Sequence, residues 1–281
     1  MNNYFFIYVT IVFTLNDRVS RLVFARIKKI RRRFIALLVI WIVLLLVTLS
    51  FLTALEALFN NNPEGRTIGS LSWAGYIISK NFNSPLGVTS IEASWTVPQV
   101  NTLASDGHSS AWIGIGGQTD KTLIQVGTEQ DVLGGQEIYD AWYEMLPDFS
   151  VTINGLTIAP GDTIAASLTL VDSNANVWNI ELSDIANGQT FSLDVVYNST
   201  LSSGEWIVER PTINNQISSL CDFGTIPFSR CQITVNNVVE TISNSTYSKI
   251  QMTNQQDTSL ASVSTLSSDG SSFNVNYVAS S

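Results

Sequence analysis

Gly204-Glu205-Trp206-Ile207-Val208-Glu209-Arg210-Pro211 is a run of β-branched and aromatic residues closed by a proline, and it reads as a strand of about seven residues. Side chains on a strand alternate faces, so Glu205, Ile207 and Glu209 share one and Trp206, Val208 and Arg210 the other. Two carboxyl groups therefore stand on one face of an otherwise apolar segment. Taken alone, that face is either the solvated side of an edge strand or part of a site.

Outward from this stretch the same texture repeats. From residue 67 the chain is rich in Ser, Thr, Asn, Val and Ile, in short alternating segments punctuated by Gly, Asn, Asp or Pro and without a helical period. Asn154-Gly155, between Phe149-Ser150-Val151-Thr152-Ile153 and Leu156-Thr157-Ile158, predicts a two-residue hairpin. Phe273-Asn274-Val275-Asn276-Tyr277-Val278 reads as the last strand. About a dozen such strands make residues 67–281 an all-β domain, a sandwich or a barrel.

The first 66 residues are different. Residues 34–54 form an uncharged apolar run of 21 directly after Arg26-Ile27-Lys28-Lys29-Ile30-Arg31-Arg32-Arg33. That length spans a bilayer as a helix, and the basic block keeps residues 1–33 cytoplasmic. The expectation is a single-pass transmembrane anchor with its C-terminal domain extracytoplasmic; a cleaved signal and a secreted product is the alternative. Residues 55–66, with Asn60-Asn61-Asn62-Pro63-Glu64-Gly65, read as a linker.

Charge is divided the same way. Eight of the 14 Lys and Arg precede residue 34, and only Asp17 and Glu56 are acidic in the first 58 residues. The remainder carries 6 basic against 21 acidic residues, a formal −15, which excludes a nucleic-acid partner. Protonating those carboxyls leaves few positive charges to repel one another, so the composition suits an acidic medium.

Several chemistries are eliminated by what the chain lacks. One histidine and two cysteines build no His/Cys metal cluster, and no His-Glu-x-x-His run exists, so no metal and no cofactor is expected. There is no Gly-x-Ser-x-Gly elbow, and His108, in Asp106-Gly107-His108-Ser109, reads as a surface loop residue. No Asp-Thr-Gly or Asp-Ser-Gly appears. Cys221 and Cys231 flank a segment that turns at Gly224 or Pro227, and a disulfide between them is expected, with two buried thiols as the alternative. Any catalysis must therefore use carboxyls and amides.

Two other strands supply partners. In Leu123-Ile124-Gln125-Val126-Gly127-Thr128-Glu129, Gln125 and Glu129 lie opposite Ile124 and Val126; in Tyr139-Asp140-Ala141-Trp142-Tyr143-Glu144-Met145, Asp140, Trp142 and Glu144 line one side. Set beside Glu205 and Glu209, these give a sheet face of acids, an amide and aromatics. Such a face suits a substrate groove better than a solvated surface.

Ala111-Trp112-Ile113-Gly114-Ile115-Gly116-Gly117, Leu123-Ile124-Gln125-Val126-Gly127, Tyr139-Asp140-Ala141-Trp142-Tyr143-Glu144 and Glu205-Trp206-Ile207-Val208-Glu209 resemble, in order and spacing, the glutamic peptidases called eqolisins. The similarity runs from Ser72-Trp73-Ala74-Gly75-Tyr76 to the C-terminus. It implies a sandwich of two antiparallel sheets, lectin-like, with polypeptide substrates lying across a concave face. It also implies Gln125 and Glu209 as the catalytic pair of an acid-acting endopeptidase. Trp112, Glu129, Asp140, Trp142, Glu144 and Glu205 are then expected to shape or tune the cleft. This chain departs from the family at Gly116, where fungal members carry Asp, and at Glu129, where Asp is usual.

Two readings from other classes remain open from the residues themselves. A glycoside hydrolase would use two carboxyls such as Glu144 and Glu209 and have no need of Gln125. A lectin or adhesion module would need neither Gln125 nor Glu209.

Overall fold

A computed structural model describes residues 65–79, 86–118 and 121–280, together with Arg26, Trp41, Ile42, Leu44, Leu45 and Thr48. The chain divides into two compact units, Met1–Asn62 and Pro63–Ser281. Six residues of the first unit are described, all helical and exposed. Five residues of the expected membrane-crossing run 34–54 and two of the linker 55–66 are described, and the rest of both lies outside the described residues. Among those described, no helix is long and apolar enough to cross a membrane.

The second unit is built of strands. They are β1 (Arg66–Ser70), β2 (Trp73–Ser79), β3 (Val88–Thr96), β4 (Ser110–Gly116), β5 (Leu123–Leu133) and β6 (Gln136–Met145). Then come β7 (Val151–Thr152), β8 (Thr163–Asp172), β9 (Val177–Asp184), β10 (Thr190–Val196), β11 (Ser203–Glu209) and β12 (Thr212–Ile213). The last are β13 (Gln216–Ile217), β14 (Thr225–Val235), β15 (Val238–Thr241), β16 (Tyr247–Thr253), β17 (Ser259–Val263) and β18 (Phe273–Tyr277).

Hydrogen-bonded neighbours run β10-β9-β8-β3-β14-β18-β17-β16-β2-β11-β4-β5-β6-β7. The pairings along this path are antiparallel, while β1 adds to β16 in parallel. The ladder doubles back on itself as a sandwich: Trp206 on β11 donates its indole N–H to the Glu92 carbonyl on β3 (2.9 Å), and Trp95 on β3 donates to Thr128 Oγ1 on β5 (3.0 Å). The two layers are not separate sheets. β17 and β18 pair with each other and with one strand of each layer, so the ladder continues around one side.

Alternation decides what fills the interior. Trp206 and Val208 of β11 point inward with Ile113 and Ile115 of β4, Ile124 and Val126 of β5, and Ile91, Trp95, Leu168, Trp178, Ile180 and Phe228 from the facing layer. Each aliphatic side chain so buried contributes about 2 kcal/mol by area. Close approach is written into Gly204, where an added Cβ would sit 2.4 Å from Ile233 Cδ1 of the other layer.

Tight turns set the registers. Gly134-Gly135 joins β5 to β6 and Asn236-Asn237 joins β14 to β15, each pair at positive φ as a primed hairpin turn requires. The hairpin expected at Asn154-Gly155 is corrected. A turn forms there, but Leu156 and Ile158 enter the core instead of pairing back as a strand.

The disulfide is corrected too: Cys221 and Cys231 are free and buried. After Gly224 the chain does not fold back but runs on as β14. Cys221 precedes the strand, whereas Cys231 lies within it, where its backbone N–H donates to Ser271 O at 2.9 Å. Cys221 Sγ instead lies 3.1 Å from Ser109 Oγ and 3.2 Å from the Gln130 carbonyl.

Candidate active site

The five strands β2, β11, β4, β5 and β6 are adjacent, and their registers stack the outward side chains in three rows. One row reads Trp73, Glu209, Ser110, Glu129, Asp140; the next Gly75, Ile207, Trp112, Gly127, Trp142; the third Ile77, Glu205, Gly114, Gln125, Glu144. Every candidate residue read from the sequence thus lies on one face. Glycines leave room for the large groups. A Cβ at Gly127 would lie 2.6 Å from Trp112 Cβ, and one at Gly114 would lie 2.8 Å from the same indole ring.

Trp112 and Trp142 are buried rather than open to solvent, packed with Ile77, Leu123, Ile207 and Ile250 in a small apolar cluster on this face. Trp112 nevertheless reaches a candidate catalytic residue, since its indole N–H donates to Glu209 Oε2 at 2.9 Å. Trp73 adds a second side-chain hydrogen bond to the same carboxyl and packs edge-on against Trp112, centroids 5.1 Å apart. Trp73 was not among the candidates read from the sequence. Its place opposite Glu209 is a matter of strand register, which no spacing encodes.

Gln125, 4% exposed, donates an amide N–H to Glu144 Oε2. Its Oε1 is buried and has no hydrogen-bond partner among the described residues. The amide is thus anchored at one N–H while the second N–H and the carbonyl stay available. Glu205 is fully buried, in the third row beside Ile77 and Gly114.

The acids share one tendency. Burial pushes Glu209 up to about 7, with Glu144 adding to the rise and the bonds from Trp73 and Trp112 opposing it. Burial, then Asp131 and Asp140, raise Glu129 to about 7. Glu144 is raised by burial, against the pull of Gln125 and the Ser150 backbone. Along β5 the acidic row ends at Asp131, raised by burial, whose Oδ2 lies 2.7 Å from His108 Nδ1. The surface histidine expected from the sequence is therefore half-buried and held by a carboxyl.

These shifts carry a sign for stability. Folded, Glu129 and Glu209 hold protons up to about pH 7, whereas the unfolded chain releases them near 4.5. The folded state binds more protons between those values, so this stabilisation is complete below pH 4.5 and is lost as pH rises through 7. The thermal midpoint of the domain is therefore expected to fall on raising the pH from about 4.5 to about 8. A midpoint that is constant or rises over that window contradicts the protonated acids.

No group of three or more His, Cys, Asp or Glu positioned to hold a metal ion occurs among the described residues. A β-sandwich face bearing an anchored amide and a raised carboxyl has the groups that hydrolysis without a metal needs. Comparison with known proteins makes that specific. The family model described as the Peptidase A4 family matches residues 71–277. Aspergillopepsin-2 of Aspergillus niger is 28% identical over 233 residues, 74% of this chain and 78% of the relative. Scytalidopepsin B of Scytalidium lignicola is 27% identical over 210 residues, 70% and 76% of the respective chains. The crystal structure of scytalido-glutamic peptidase with a transition state analog inhibitor aligns with TM-score 0.61 at 22% identity, over 74% of this chain and 99% of that one. The chain belongs to the Peptidase A4 family. It is an acid-acting glutamic endopeptidase, and neither the glycoside hydrolase nor the adhesion reading is favoured.

Proposed function

We propose that Glu209 is the general base and Gln125 the oxyanion donor of this peptidase. The observation that carries the assignment is the contrast on one sheet face: a carboxyl raised by burial and held by two tryptophans, and an amide with one N–H anchored and its carbonyl unpartnered. A water bound between them loses a proton to the Glu209 carboxylate as its oxygen attacks the peptide carbonyl carbon. The free N–H of Gln125 donates to the oxyanion, and Gln125 Oε1 accepts the water's other hydrogen and orients it. Glu209 then passes its proton to the leaving nitrogen, the C–N bond breaks, and an acid and an amine are released. Trp112 and Trp73 hold the base in place, and Glu144 holds the amide. Glu129, Asp140, Trp142 and Glu205 bound the same face.

Acid dependence follows from the neighbours. As Glu129 and Glu144 ionise toward neutral pH they set negative charge beside the developing oxyanion and oppose it. On the other side, the ionised fraction of Glu209 falls about tenfold for each pH unit below 7. The profile of kcat/KM for an unfolded protein substrate is therefore expected to peak in weak acid, with Glu209 setting the acid limb. Trp112→Phe removes a donor that favours the carboxylate, so it moves that limb to higher pH. A folded Trp112→Phe enzyme whose acid limb stays put removes Glu209 from the role of base. Wild type that cleaves no unfolded protein at any pH from strong acid to neutral removes the reading as a whole.

For the N-terminal unit, the apolar run 34–54 after the basic block 26–33 supports single-pass anchoring of an extracytoplasmic domain, with release by signal cleavage as the second form.

A further inference from the structure

Arg210 follows the proposed base directly, one residue past the end of β11. It is 6% exposed, and among the described residues no carboxyl lies within ion-pair distance of it. A buried guanidinium without an anion is costly to retain. Its bonds go to backbone carbonyls instead: Nε donates to Leu71 O at 2.6 Å and Nη1 to Ser218 O at 3.4 Å. Its own backbone N–H donates to Ser72 O at 3.0 Å.

These three bonds reach two segments, the turn that leads into Trp73 and the hairpin that follows Pro211. Leu71 and Ser72 form the turn into β2, where Ser70 Oγ accepts the N–H groups of Ser72 (3.3 Å) and Trp73 (3.1 Å). Trp73 is the next residue, and it is both opposite Glu209 in register and bonded to it. Ser218 closes the β12–β13 segment, where its N–H returns to Pro211 O at 3.0 Å.

We propose that Arg210 is a positioning residue of the active site: it fixes the Leu71-Ser72 turn, so that Trp73 stays against Glu209, and it ties the Ser218 end of the β12–β13 segment to the same strand end. The inference rests on Glu209 being the base. Without the fork, Trp73 loosens, Glu209 loses a hydrogen bond that favours its carboxylate, and its proton is held more tightly. A planar guanidinium reaching two carbonyls is not replaced by the point charge of lysine.

The test compares Arg210→Met, Arg210→Lys and Trp73→Phe, alone and combined, in the full chain. The readouts are the pH profile of kcat/KM on an unfolded protein, the separate kcat and KM at the optimum, and circular dichroism for the fold. Arg210→Met is expected to move the acid limb upward and to lower kcat about tenfold with a smaller change in KM, with Arg210→Lys between it and wild type. In the Trp73→Phe background the arginine substitution is expected to move the limb no further, because both act through one bond. An unmoved limb in the folded Arg210 variants overturns the inference, as does a shift that adds in full to that of Trp73→Phe. Should Arg210→Met fail to fold, the limb of Arg210→Lys decides alone. Wild-type inactivity strikes at Glu209 itself, whereas an active wild type with unmoved variants strikes only at Arg210.

Discussion

Glu209→Gln is expected to lower kcat/KM by about 10³-fold or more, since it removes the proton acceptor while keeping shape and size. The same change is expected to stabilise the fold near neutral pH. Glu209 is raised to about 7 chiefly by burial, so at pH 7 and above the folded protein carries the cost of ionising it, and a neutral amide does not. Loss of activity with a gain in thermal midpoint separates a functional carboxyl from a structural one, because a structural acid would show loss of both. The measurement is kcat/KM on an unfolded protein at the optimum, with thermal denaturation at about pH 5 and about pH 7.5. Retention of more than about a tenth of the activity contradicts the assignment.

Gln125→Ala is expected to cost about 10²- to 10³-fold in kcat with a smaller effect on KM, the pattern for losing a donor that acts on the oxyanion. It has a second signature. Gln125 is the neighbour whose hydrogen bond pulls Glu144 down against burial, so without it Glu144 holds its proton to higher pH. The neutral limb of the residual activity should therefore move upward. A Gln125→Ala enzyme with unchanged kcat restores the two-carboxyl reading through Glu144 and Glu209, in which the amide has no part.

The acid preference of this chain and its expected acid tolerance share one cause in the proposed mechanism. Carboxyls packed against tryptophan and isoleucine keep their protons, which lets the negative intermediate form among them and makes the folded state the better proton binder. Basic residues are scarce after residue 34, so protonation leaves little positive charge to drive the domain apart. Composition alone suggests this tolerance; the buried acids give it a mechanism.

How far the sequence reached is best seen residue by residue. Alternation within each strand put Gln125 with Glu129, Asp140 with Trp142 and Glu144, and Glu205 with Glu209 on common faces, because a period of two is a local property of extended chain. The strand Phe273–Tyr277 was legible for the same reason. The hairpin at Asn154-Gly155 and the bridge between Cys221 and Cys231 were not. Both required knowing where the chain goes after a turn, which pairing partners decide.

What the amino-acid sequence by itself determined is the all-β domain, the acidic face and the carboxyl–amide chemistry, since these depend on residue type and on a two-residue repeat. What only the tertiary structure decided is which strands stand side by side. Register sets Trp73 opposite Glu209 and Gln125 opposite Glu144, and the fold draws His108 to Asp131 and buries Arg210 against the carbonyls of Leu71 and Ser218. Those contacts join residues 8 to 139 positions apart. They arise because every strand must bury one face and satisfy its backbone against a neighbour, a condition that only the whole sheet resolves.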